Sequence, residues 1–431
     1  MIRRSRRRLR TLLVALALIA AACAEPVLPE IVAPATVTPT AVPTPTAAPT
    51  VENQPTPTPP PFAGEPGITA DTIRIGVIYD VGVDPVSDQV SRSAFEAVLA
   101  WGESVNNSEG GLAQRSVVVE PIETRPLLED HAEAIDRACN SDLFALVGSS
   151  ALFDGLGVEQ LESAGCRLPD FPATATSVDR LNSEVTTLSN PITSNMWQAG
   201  WATYYAENRP EAAQAAATLL LDIPVAVADG ERMIEAANAQ GIEFVARPQI
   251  AADTNFAGVV AELEEAETEL VIWRGDNGRL LGLLDALAEG GGPGPLVDCA
   301  QACYSDVWIE AAAERGEGVS VWLPHLPVED TSESPELNRY LFWLGFTSGA
   351  DFEDTSTGIM AWSAALLFEE AVNIAIGTDT ADYDPNNLTR ERVLEAVETI
   401  TEWDANGIHG TANPAEGVPS PCFVMLTLNR G

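Results

Sequence analysis

Two adjacent hydroxyls, Ser149 and Ser150, follow Gly148 at the end of the apolar run Leu143-Phe144-Ala145-Leu146-Val147. They read as ligand contacts, a role compatible with capping a helix. A nucleophile reading is weaker. A GxSxG elbow needs Gly two residues after the serine, where Ala151 stands, and the three histidines, His131, His325 and His409, are distant in the chain. No CxxC pair suggests zinc. Gly290 to Gly294 lack the Lys and Ser/Thr of a phosphate loop, and no GxGxxG follows the first strand pattern, so the glycine cluster is a loop. The residues therefore point to binding without catalysis, metal or cofactor. Asp80, just past an apolar run, is open between ligand contact and loop turn, and Trp273, ending another, between core and cleft wall.

Six cysteines remain to be placed. Cys23 ends the segment Ala20-Ala21-Ala22-Cys23, which has the look of a bacterial lipobox, with Ala20 in place of the usual Leu. Before it lie six arginines from Arg3 to Arg10 and an apolar stretch, Leu12 to Ile19, too short for the roughly 20 residues that span a bilayer. Residues 1–22 thus read as an export signal and Cys23 as a lipidation site. Ser5-Arg6-Arg7-Arg8-Leu9 gives only a weak twin-arginine match. Export makes the other cysteines candidates for oxidation. Cys299 and Cys303 are four apart, Cys139 and Cys166 flank a strand-helix unit, and Cys422 is left over; spacing alone does not fix this pairing.

Residues 23–66 form a Pro/Thr-rich tether, with Pro59, Pro60 and Pro61 in succession. Proline removes backbone donors and fixes φ, so the segment favours extended conformations reaching at most on the order of 130 Å. The chain carries 63 acidic and 23 basic residues, net −40, and every basic residue is Arg. Loss of the leader's six arginines makes the balance more negative still. Such a surface argues against nucleic acid as a partner and for a solvated, soluble globule.

The remaining residues exceed what one core usually serves, so two lobes are expected. Thr72 to Asp80, Val117 to Pro121 and Leu143 to Val147 read as strands, with helices around Val90 to Trp101 and His131 to Cys139 between them. The alternation restarts further on. Ala202 to Asn208 and Glu211 to Leu219 read as helical, Pro224 to Ala228 as a strand and Gly230 to Gln240 as a helix. Phe244 to Ala246 and Glu269 to Trp273 follow as strands, with helices over Phe256 to Glu265 and Leu280 to Ala288. The final third adds an apolar helix, Ile359 to Ile376, an amphipathic one, Thr389 to Ile400, and a closing strand, Cys422 to Leu428. The fold class is α/β, two doubly wound parallel-sheet lobes, with the late helices covering the first sheet.

Gly67 to Val77, Ala145 to Ser150, Leu161 to Pro169, the Ile359 to Ile376 helix and the Gly407 to Leu428 ending together resemble the leucine/isoleucine/valine-binding proteins of branched-chain amino acid ABC transporters, a family of the type I periplasmic-binding fold. The resemblance covers about residues 67 to 431. It implies a three-segment hinge near Asn190, Pro324 and Gly410, with lobe one over 67–190 and 325–410 and lobe two over 191–324 and 411–431. It implies ligand binding in the interlobe cleft, outside the carboxyl ends of the strands, where unpaired loop amides favour a carboxylate. It places anion contacts at Ser149 and Ser150 and at Thr174, Ala175 and Thr176, and a first-lobe disulfide at Cys139 and Cys166. His409 then reads as a solvated hinge-loop residue.

The second lobe departs from the family pattern. The ammonium of an amino acid is held there by an acidic residue and an aromatic, and Val227 to Glu231 lacks the tyrosine. Asp276 or Asp306, with Trp273 or Tyr304, are the replacements available at the matching strand ends. The function expected is a monomeric, lipid-anchored receptor on the outer face of the cell membrane, delivering a small polar solute, an amino acid or related amide or carboxylate, to an ABC permease in the cytoplasmic membrane. The alternative is a sensor of the same fold that signals through a membrane partner.

Overall fold

The computed structural model describes residues 64–429 apart from 84, 292–293, 333, 350–354 and 378–382. The expected export signal, Cys23 and most of the expected tether lie outside the described residues.

The first sheet grows from an apolar opening run. β1 (Thr72–Asp80) leads through α1 (Pro85–Ser104) to β2 (Ser116–Thr124), then α2 (Leu128–Asn140), β3 (Ala145–Val147), α3 (Val158–Glu162), β4 (Asp170–Phe171) and α4 (Val178–Leu181). The strands are parallel in the order β2-β1-β3-β4. Successive residues on a strand face opposite ways, and β3 shows the result: Ala145 and Val147 join the core beside α1, while Leu146 joins a smaller core with Ala134 and Ile135 of α2. The Cys139–Cys166 disulfide is formed here, closing a separation of 27 residues, a crosslink worth roughly 2–4 kcal/mol.

The chain then builds a second sheet: α5 (Gly200–Asn208), α6 (Pro210–Ala213), β5 (Ala216–Leu221), α7 (Pro224–Ala239), β6 (Phe244–Ala246), β7 (Gln249–Ile250), α8 (Phe256–Glu265), β8 (Leu270–Arg274), α9 (Asn277–Glu289), β9 (Leu296–Asp298), α10 (Asp306–Ala312) and β10 (Ser320–Leu323). It returns to the first lobe for α11 (Pro335–Ser348), α12 (Ser356–Ile376) and α13 (Arg390–Val397), and ends as β11 (Val424–Thr427), antiparallel to β10. The second sheet runs β11-β10-β9-β8-β5-β6, with β7 also on β5.

One stretch of lobe two differs from the sequence reading. The segment expected to be helical, Glu211 to Leu219, holds the short α6 and then the strand β5, and the expected strand at Pro224 to Ala228 is the first part of α7. Short apolar runs do not separate strand from helix by periodicity. What decides is tertiary: Ala216–Leu221 pairs with β8 over five residues, while Pro224 takes the first helical position, where its missing N–H is no loss. Strands β9 and β10 and helix α11 were also not legible as elements.

Helix α12 is long and apolar enough to cross a membrane, yet 78% of its most apolar window is buried inside the protein. Thr355 caps its start by accepting from the Gly358 amide, and Gly377, at φ 74°, ends it in the left-handed conformation that glycine adopts without strain. It packs on α1, α13, β3 and β4, covering the first sheet as expected. Cys299 and Cys303 are also joined, and Cys422 is not a free thiol.

Candidate functional site

The parallel strands of both sheets point their carboxyl ends at one cleft of about 420 Å³. Asp80 ends β1, Ser150 and Thr174 follow β3 and β4, Leu221 ends β5, and Trp273 and Arg274 end β8; all line it. Among the residues proposed from sequence, Asp80, Ser150, Thr174, Ala175, Thr176, Trp273 and Asp276 line the cleft, whereas Ser149 and Tyr304 are not among its lining residues.

Gly148 explains the split between the two serines. At φ 72° it turns the chain where a Cβ would sit 2.3 Å from Val98, so β3 stops sharply under α1. Ser149 is thereby directed inward, its Oγ accepting from the Ile78 amide at 3.1 Å, and Ser150 outward, its Oγ accepting from Thr174 Oγ1 at 3.3 Å. Neither serine caps a helix, since α3 begins only after Gly157. Tyr304 instead meets the segment that follows β10, where its hydroxyl donates to Glu329 at 2.7 Å and accepts from the Val328 amide.

Several of the lobe-one amides expected to be unpaired are engaged. The buried Asp154 carboxylate accepts from the amides of Thr176 (2.7 Å) and Ser177 (2.8 Å), fixing the loop after β4. Asp80 accepts from the Leu152 amide at 2.7 Å, and the Ser150 amide donates to the Ile78 carbonyl. Burial, opposed by the Leu152 amide and assisted by Asp154 and Asp88, pushes the Asp80 carboxyl up to about 6.

Lobe two's wall is built around Asp229 on α7. Its carboxylate accepts from Trp197 Nε1 (3.0 Å) and pairs with Arg232 (2.9 Å) and Arg274 (3.1 Å). The Arg274 guanidinium lies 5.1 Å from the Trp197 ring centroid, a cation–π contact. Arg232 also donates to the Thr176 carbonyl at 2.9 Å and so bridges the two lobes. This cluster was missed in the sequence because Trp197, Asp229, Arg232 and Arg274 come from separate segments; the only signal was an arginine closing an apolar strand. Asp276 has a structural duty, capping α9 at the Arg279 amide and pairing with Arg279 at 3.0 Å. Trp273 resolves to both readings at once, 1% exposed and still part of the cleft wall.

His409 is a correction: it is 5% exposed rather than solvated. Its Nδ1 donates to the Gly410 carbonyl at 2.8 Å, leaving Nε2 to accept from Ser363 at 3.1 Å, with Ser189 at 3.3 Å. His325 repeats the arrangement between the Leu326 carbonyl and Ser356. Burial lowers the pKa of both, that of His325 to about 4, so both rings are neutral near neutral pH.

Two α/β lobes facing across a cleft at the strand ends define a two-lobed solute-binding protein. The chain belongs to the periplasmic binding protein family, whose sequence pattern it matches over residues 72–431. No curated protein matches it in sequence. Among solved structures it is similar to a fatty acid ABC transporter substrate-binding protein from Thermomonospora curvata (15% identity, TM-score 0.69, 84% of this chain and 90% of that one). It is also similar to a leucine-binding protein from Thermotoga maritima (13%, 0.64, 83% and 95%). A third is an R. palustris ABC transporter solute-binding protein in complex with 4-hydroxybenzoate (16%, 0.66, 84% and 94%). At these identities the likeness is one of fold, the type I periplasmic-binding fold.

The shifted Asp80 carboxyl makes a signed prediction. With a folded pKa near 6 against about 3.9 unfolded, the folded chain holds the extra proton between those values, so this group's contribution to stability falls as pH rises through that window. Asp80→Asn is expected to stabilise the protein by up to roughly 2–3 kcal/mol near pH 8 and by little near pH 4.5. Thermal melts at both pH values check this, and equal effects at the two would contradict it.

Proposed function

We propose that the protein is a monomeric receptor tethered by lipid on Cys23 to the outer face of the cytoplasmic membrane, which captures a small solute in the interlobe cleft and delivers it to an ABC permease. The observation that carries this reading is the cleft itself, walled by the strand ends of two sheets that the chain joins by separate crossings. Family membership supports it, as do the ABC-transporter names of similar folds.

The hinge falls where the chain passes between sheets, near Asn190, Pro324 and Gly410, which divides the chain into 67–190 with 325–410 and 191–324 with 411–431. Asn190 accepts from the Ser420 amide at 3.0 Å, tying the first crossing to the third. Closure about these segments would bury the solute, as hinge motion does in this fold. Ser150, Thr174, Ala175 and Thr176 are proposed contacts on lobe one, with Asp80 beside them; Trp273 and Asp276 belong to the lobe-two wall.

Binding is tested by thermal stability of the protein against amino acids, amides, urea, polyamines and small carboxylates. A true ligand at 100 times its dissociation constant adds about 2.7 kcal/mol. Silence across the whole panel, repeated by calorimetry, would contradict the reading. The anchor is tested separately: Cys23→Ser is expected to move the protein from the membrane to the soluble fraction of an expressing bacterium, and retention on the membrane would contradict lipidation.

A further inference from the structure

Lobe one presents a carboxylate to the cleft in this protein. The amides of Leu152, Thr176 and Ser177 are engaged by the carboxylates of Asp80 and Asp154, and Asp80 itself lines the cleft. An anionic group placed there would meet the Asp80 carboxylate.

The opposite wall carries guanidinium groups. Asp229 is a carboxylate shared by two of them, Arg232 and Arg274, and the buried Asp298 also acts electrostatically on Arg274. Arg274 lines the cleft with 24% of its side chain exposed. Arg232, with 13% of its side chain exposed, does not itself line the cleft; it joins two groups that do, Asp229 and the Thr176 carbonyl, and so supports the wall from behind. A carboxylate is the planar group that matches the fork of the cleft-facing Arg274 guanidinium. The surface around the cluster is apolar: Trp197, Ile192, Leu221, Trp322 and Met360 line the same cleft.

Resting on the binding function above, we propose that the cleft takes a small monocarboxylate with an apolar body, its carboxylate held by Arg274 on lobe two and its body lying against the tryptophans and aliphatic side chains. Asp229 holds the two arginines in place and disperses their charge when the ligand is absent. The polarity of the site is thus the reverse of the lobe-one anion site implied by family resemblance. An α-ammonium group is not required for recognition.

The test uses calorimetric titration of the full-length protein with two matched sets: isocaproate, isocaproamide and leucine; hydrocinnamate, hydrocinnamamide and phenylalanine. At least one simple carboxylate is expected to bind, about tenfold or more tighter than its amide and no weaker than its amino acid. Arg274→Gln should weaken that carboxylate about tenfold, while Arg315→Gln, which removes a surface pair with Asp285, should leave it unchanged. The wild-type comparison among ligands needs no variant and stands even if Arg274→Gln folds poorly. A preference for the amino acid or amide, or carboxylate binding indifferent to Arg274→Gln in a folded variant, overturns the inference and leaves the binding function intact. Binding by a different member of the broader panel with silence from both carboxylates does the same. Silence from every compound overturns the inference and the binding function together.

Discussion

The hydrogen bonds that helix α12 makes to the interlobe segments are the constraint on which the rest of the structure depends. Ser356 and Ser363 lie seven residues, about two turns, apart on this buried helix. Ser356 meets His325 beside the second crossing, and Ser363 meets both His409 beside the third and Ser189 beside the first. Trp403 adds a bond to Ser189 from its indole nitrogen at 2.7 Å. All three passages between lobes are therefore anchored on one element of the first lobe's core. Buried hydroxyls and imidazoles satisfied in this way fix a single arrangement, because leaving any of them without its partner inside a low-dielectric core is unfavourable.

The strongly acidic chain gives its few arginines unusual weight. With no lysine available, the fully buried ion pair at the base of lobe one is made by a planar fork, Arg180 with Asp170, beside His131. The same chemistry recurs at the cleft, where Arg232 and Arg274 share Asp229.

Much of the architecture was legible because it rests on local patterns. The apolar β1 run, the capped start of α13 at Thr389 and the Asn255-capped α8 all carry their signals within a few residues. The β5–α7 region was not legible: AATLLL and PVAVA are both short and apolar, and only pairing with β8 separates strand from helix. The candidate site divides in the same way. Strand ends located Asp80, Ser150, Thr174 and Trp273 at the cleft, but the inward turn of Ser149 depends on the backbone at Gly148, and the burial of His409 depends on helix α12 arriving from elsewhere in sequence. The Trp197–Asp229–Arg232–Arg274 cluster is wholly a product of tertiary folding, since its members are brought together from before α5, from α7 and from the end of β8.

The central claim is that the lobes close as bodies about crossings anchored on α12. Small-angle X-ray scattering of the protein with and without the tightest ligand of the stability panel tests it most directly. The account predicts a smaller radius of gyration at saturation with no change in helix content by circular dichroism. An unchanged radius of gyration while calorimetry shows the cleft occupied would contradict it.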